Sequence, residues 1–332
     1  MIYFKADAWE WPPETTLTDD RLRVRRVTTQ DRREVLSGRD ADDKRHILIR
    51  IADNEGAAAA VSTRGMAVSV RNLSQPGQDP GRYIDIVCHD TGGHAAFHLI
   101  GDEIASALSD GAPAPCDVVD RVISRWRQFW GRLPQSILSR SEQIGLFAEL
   151  WFLLTWLGSE DVAMALSRWR GPTGSRHDFE WQGYSVEVKA TISVHHLVHR
   201  VNGVDQLVPP ESGSLLLFSL QVRQEEGAAN SLPIVVGMLR SRIAGNPDAA
   251  LDLEDKLARI GYSSTHDPEY GRLRLRVGSE GLYRVDHDFP RITPLSFREG
   301  VPNGVGKIEY DVTLNGFDHL RVASRPSEMP SM

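Results

Sequence analysis

The segment Arg-His-Asp-Phe-Glu-Trp-Gln-Gly-Tyr-Ser-Val-Glu-Val-Lys, residues 176–189, restricts this chain more than any other stretch. Gln182-Gly183 has the form of a two-residue hairpin turn, in which glycine supplies the positive φ that other residues resist. Such a turn predicts the register: Trp181 opposite Tyr184, Phe179 opposite Val186, Asp178 opposite Glu187. Side chains alternate along a strand, so Asp178, Glu187 and Lys189 share one face while Phe179, Val186 and Val188 form an apolar one. Carboxylates directly across a strand pair repel, and a divalent cation is the natural compensation. Hard oxygen donors suit Mg²⁺, which keeps several waters and bridges to phosphates. A lysine two residues from a carboxylate ligand can orient a bound water, take its proton or stabilise developing negative charge.

Spacing alone does not select this site. Asp42 with Lys44 and Glu254 with Lys256 repeat the acid-x-Lys pattern, but they lie in charged runs that read as solvated faces. Only Glu187 lies in an alternating strand with a second acid opposite it. The chain uses 33 arginines and 5 lysines, so a titratable amine at position 189 departs from its habit.

Glu149 is the second constraint. It is the only charged residue between Ile144 and Leu157. Its helical neighbours at three and four positions are Gly145, Leu146, Phe152 and Leu153, none of which can pair with it. An isolated buried carboxylate is expensive. Glu149 therefore needs a partner from elsewhere in the fold: an arginine (Arg125, Arg170 or Arg176) or the same metal site.

The overall composition is that of an ordinary globular protein, 41% apolar and 25% charged, and the length suggests two domains. A formal net charge of -7 argues against a protein that coats DNA non-specifically. Residues 121–200, however, carry 10 basic and 7 acidic side chains, while both flanks are acidic. Two cysteines exclude a disulfide framework. The start lacks the features of a signal peptide, and the longest apolar run is too short to span a bilayer, so a soluble cytoplasmic protein is expected, with no membrane partner.

Strands are expected at 21–27, 46–51, 67–71 and 83–87, followed by a helix at 94–108. The Gly/Pro-rich stretch at 110–115 predicts a linker between a β-rich region, 1–112, and a second domain, 117–332. Beyond it, helices are expected at 117–131, 141–157, 160–169, 233–244 and 248–260. Strands are expected at 214–222, 272–277, 281–285 and 307–314. The apolar strand at 214–222 reads as lying deep in a sheet. This order makes an α/β or α+β unit.

A Glu on an apolar helix, then Asp-x(8)-Glu-x-Lys on a hairpin, then a buried strand, resembles the PD-(D/E)XK nuclease superfamily. More narrowly, residues 145–153, 170–191 and 205–207 resemble a bacterial PD-(D/E)XK family encoded near restriction-modification genes. The resemblance implies a mixed central sheet flanked by helices. It implies Asp178 and Glu187 as metal ligands, Lys189 as the water-activating group, and Glu149 as an outer ligand or metal-positioning carboxylate. His177 stands where the superfamily pattern has proline. Gln206 matches a glutamine found in exonuclease-like branches; Arg176, Gln206 and His195 are candidate substrate contacts.

The expected function is a Mg²⁺-dependent DNA endonuclease, with Mn²⁺ as substitute metal, in a restriction or phage-defence system with partner proteins. Cutting two strands makes a homodimer reasonable. The competing expectation is a non-catalytic subunit that keeps the nuclease fold to bind DNA or a partner. His94 and His98 near Cys88 and His89, and His195, His196 and His199, have the spacing of a weaker zinc alternative. No phosphate loop, nucleophile elbow or dinucleotide fingerprint occurs.

Overall fold

The computed structural model describes residues 4, 8–11, 21–27, 34–55, 61–62, 65–74, 80–110, 114–130 and 136–329. In chain order the strands and helices begin with β1 (Arg23–Arg26), β2 (Val35–Arg39), β3 (Arg45–Ile51), β4 (Val61–Ser62), β5 (Met66–Leu73), β6 (Gly81–Cys88), α1 (His94–Ser109) and α2 (Pro115–Trp130). They continue with α3 (Arg140–Trp151), α4 (Val162–Arg168), β7 (Phe179–Trp181), β8 (Tyr184–Thr191), β9 (Val198–Val201), β10 (Ser214–Gln224) and α5 (Leu232–Arg242). The chain closes with α6 (Pro247–Ile260), α7 (Asp267–Tyr270), β11 (Leu275–Arg284), β12 (Tyr310–Thr313) and β13 (Arg321–Ala323).

Two compact units result. The first comprises Met1–Ile137 and Gly245–His266, the second Leu138–Ala244 and Asp267–Met332. The break expected between residues 112 and 117 is therefore not where they divide. Val118, Val119, Val122, Ile123 and Trp126 of α2 bury in the same core as Phe97 and Ile100 of α1, and Ala258 of α6 joins them. Apolar burial carries α2 and α6 into the first unit. Residues 111–113 of the expected linker lie outside the described residues.

The first unit holds an antiparallel sheet of order β1-β2-β3-β6-β5-β4. Ile47, Ile49, Ile84 and Ile86 alternate onto its helix-facing side. Strand β2 was not expected from alternation. Val35, Leu36, Ser37 and Gly38 are all buried, so a strand covered on both faces shows no period of two.

The second unit holds a mixed sheet of order β13-β11-β10-β8-β7, with β8 and β10 parallel and the remaining pairs antiparallel. Strand β10 lies at its centre, and Leu215, Leu217, Phe218, Leu220 and Val222 are fully buried. Helix α3 packs on β8 and α5. It ends in one π-helical turn, Phe152–Trp156, whose Phe152 ring packs on Phe179 and Phe218. The two strands expected at 272–277 and 281–285 are one strand, β11. A bulge at Gly278-Ser279 opposite Gln221 absorbs the interruption, and Ser279 Oγ donates to Gln221 Oε1 at 3.2 Å. Strands β9 and β12 form a separate two-stranded ribbon.

Candidate functional site

The hairpin β7–β8 has the register that its Gln-Gly turn predicts: Trp181 faces Tyr184 and Phe179 faces Val186, with Gly183 at φ 90°. Asp178 lies one residue before β7. It is not a ladder partner of Glu187; instead its Oδ2 accepts the Val188 N–H at 2.8 Å. Its backbone carbonyl accepts the N–H groups of Arg170 and Gly171 at 2.7 and 3.1 Å. The Gly171–Thr173 turn is thereby held against the carboxylate. A Cβ on Gly171 would sit 2.9 Å from Asp178 Oδ1, so any larger residue there would push that carboxylate aside, while Glu149 Oε2, 3.4 Å away, would be in ordinary contact.

Glu187 is buried, 2% exposed. Its Oε1 pairs with Lys189 Nζ at 2.7 Å, and its Oε2 is buried without a hydrogen-bond partner. Burial, reinforced by the nearby Asp178 charge, pushes its carboxyl up to about 8. Asp178 is also raised, by burial. Burial works against the charge of Lys189, but Glu187 and Asp178 outweigh it and hold the ammonium above its usual value. Lys189 Nζ also donates to Gln206 Oε1 at 3.2 Å, and the same oxygen accepts the Asn202 N–H at 2.8 Å.

The partner that Glu149 needs is not an arginine. The indole N–H of Trp169 donates to its Oε2 at 2.7 Å. Burial and the Asp178 charge raise the Glu149 carboxyl well above the ordinary range. Trp169 comes within reach because its backbone bridges to Phe179 at the start of the hairpin.

Glu149, Asp178, Glu187, Lys189 and Gln206 together line one cleft of about 970 Å³. Arg176 and His195 are exposed and do not line it. Arg176 precedes the strand, and it is His177 that turns inward to hydrogen-bond the Val208 carbonyl at 3.1 Å. Arg140, Ser141, Arg200 and Asn202 line the cleft without having been singled out in the sequence. No local pattern marks Arg200, whose strand pairs with β12 more than a hundred residues later.

A divalent cation fits the donors present. The orphaned, buried Oε2 of Glu187 lacks a partner that a cation would supply, and Asp178 opens on the same cleft. The three carboxylates do not converge as a trio. Among the described residues, only Asp286, His287 and Asp288 bring three such donors within 4.8 Å, and two of these are exposed. The fit is to a divalent cation held by one or two carboxylates and completed by water. The histidine alternatives do not assemble. His199 is fully buried with Nε2 2.8 Å from Ser219 Oγ, and His98 Nδ1 lies 3.1 Å from the Phe4 carbonyl.

A mixed sheet with a half-buried acid on its flanking helix and an Asp…Glu-x-Lys hairpin at its edge defines a PD-(D/E)XK-type protein. Over residues 7–315 the chain matches the family described as "Putative PD-(D/E)XK family member, (DUF4420)", and it belongs to that family. No curated protein and no solved structure matches it. Among the described residues, no helix is long and apolar enough to cross a membrane.

Proposed function

We propose that this protein is a metal-dependent DNA endonuclease with Asp178, Glu187 and Lys189 as its catalytic core and Glu149 as a supporting acid. The observation that carries this reading is Glu187 Oε2: a buried carboxylate oxygen with no partner, on a residue that lines a cleft together with Asp178 and the half-buried Lys189 ammonium. Such an atom is costly in a purely structural role.

When bound between Asp178 and Glu187, Mg²⁺ or Mn²⁺ would polarise the scissile phosphate and acidify a water. Lys189, held as an ammonium by Glu187 and Asp178, orients the attacking water through Nζ–H and stabilises negative charge on the phosphate. Gln206 fixes that amine through its Oε1. Glu149 is held in place by the Trp169 indole N–H and stands beside Asp178 as a supporting acid. Arg140, hydrogen-bonded to the neutral Gln224, supplies positive charge at the cleft for a polyanion, while Arg200 is paired with Glu309. A restriction or phage-defence setting, with partner proteins recruiting an acidic nuclease to DNA, suits the net charge of -7. Action as a homodimer in the cytoplasm belongs to the same proposal.

The test is cleavage of plasmid DNA by the purified full chain with Mg²⁺ or Mn²⁺, beside the D178A and K189A variants. Wild-type cutting that each substitution reduces at least a hundredfold supports the assignment. Equal cutting by wild type and variants refutes it.

A further inference from the structure

Three helices of the described structure carry an interior glycine, a residue that costs a helix ~1 kcal/mol relative to alanine. Gly101 of α1 has a packing reason, because a Cβ there would lie 2.8 Å from the Phe4 ring. Gly145 of α3 and Gly237 of α5 have none: a Cβ at either would meet nothing within 4 Å. The two differ in what they face. Gly145 lines the cleft that holds the carboxylates, and Gly237 does not.

Along α3 the cleft is lined by Ser141, Ile144, Gly145 and Glu149. Ser141, Gly145 and Glu149 follow at intervals of four and share one stripe of the helix. At 1.5 Å of rise per residue, Ser141 and Glu149 are about 12 Å apart along the axis. That length accommodates a short run of a nucleic-acid backbone laid along the helix. Any long side chain at position 145 would stand in the middle of that track.

We infer that the α3 stripe Ser141–Gly145–Glu149 is a seat for one strand of duplex DNA, and that Gly145 is a positioning residue whose missing side chain lets the sugar-phosphate backbone lie against the helix. The strand runs from the acidic end of the cleft, where the scissile phosphate sits, to Ser141 and Arg140. The hydroxyl and guanidinium there are suited to a phosphate further along the same strand. This inference rests on the nuclease reading above, and it adds the direction of the strand and the residue that keeps its path open.

The experiment compares wild type, G145A, G145L, G237A and G237L. It measures fluorescence anisotropy of a fluorescein-labelled duplex oligonucleotide in Ca²⁺, together with urea unfolding of each protein. Alanine and leucine favour a helix over glycine, and a Cβ at either position meets nothing within 4 Å. All four substitutions are therefore expected to leave the unfolding midpoint at or above that of wild type. G145L should weaken duplex binding at least tenfold, G145A about threefold, and the Gly237 pair not at all. Duplex binding by G145L within twofold of wild type overturns the inference while leaving the nuclease reading intact. Loss of binding in the Gly237 variants as well overturns it too, since the effect is then not local. Failure of wild type itself to bind the duplex overturns both readings. Should G145L fail to fold, G145A decides by the same comparison with G237A.

Discussion

Replacing Glu187 with glutamine should make the metal-free protein more stable in mild alkali while abolishing its metal response. The folded-state carboxyl titrates at about 8, against an ordinary value of 4.5. Below 4.5 both folded and unfolded chains carry the proton, and no charge is desolvated. Between 4.5 and 8 the unfolded chain has released the proton that the native chain retains. Stability is therefore fully present at low pH and is lost as pH rises through 8. A shift of this size has a ceiling of about 5 kcal/mol. Relaxation around the ion and the retained pairing with Lys189 reduce what is measured, and a gain of about 2 kcal/mol for E187Q at pH 9 is the working expectation. Glutamine keeps the shape but has no charge to desolvate, so its profile should be flatter between pH 5 and 9. The assay is urea unfolding with chelator present, repeated with Mg²⁺. Cation at ten times its dissociation constant adds ~1.4 kcal/mol to wild type, and should add little to E187Q. If E187Q is no more stable than wild type at pH 9 and follows the same pH slope, the buried-charge argument for the site is wrong.

Two other perturbations probe its surroundings. G171A places a methyl 2.9 Å from Asp178 Oδ1 and should displace that carboxylate. Mn²⁺ affinity by calorimetry is expected to fall ten- to a hundredfold, the range typical of lost support around a metal ligand, and unchanged affinity would show that Gly171 does not hold Asp178 in place. R140A removes one cation from the cleft. The slope of log affinity for duplex DNA against log salt should fall by about 0.9, and a slope that does not move would place Arg140 off the nucleic-acid path.

How far the site was legible in the sequence follows from which interactions are local. The hairpin register was legible because a Gln-Gly turn and strand alternation leave one pairing, and the structure has Phe179 opposite Val186 as required. Asp178 escaped that logic. It lies one residue outside the ladder, and the N–H of Val188 holds it there. Glu149 was legible as an acid in need of a partner. Trp169 was not legible as that partner, since only the bridge from the end of α4 to Phe179 brings it near. Arg200 was hidden for a similar reason. Its strand pairs with β12 more than a hundred residues later, placing Asp311 opposite it, and no local pattern announces such a partner. The domain boundary at 112–117 failed because Gly and Pro mark where regular structure stops, while apolar burial decides which core a helix joins.

Helix α3 brings these threads together. A helix chosen for stability alone would put neither an acid at position 149, within the apolar run that begins at Ile144, nor glycine at 145 with no side chain for a Cβ to meet. Each choice costs the fold free energy locally, and neither is offset within the helix. The offsets lie outside it, in the Trp169 indole and in the cleft. Local choices that oppose stability concentrate where a protein performs its function, and here two of them fall one helical turn apart on the wall that faces Asp178, Glu187 and Lys189. The same reasoning separates Gly145 from Gly237, which carries the same helical cost but does not line that wall. If G145A and G237A gain equal stability and only G145A weakens duplex binding, then glycine at 145 serves the ligand rather than the fold.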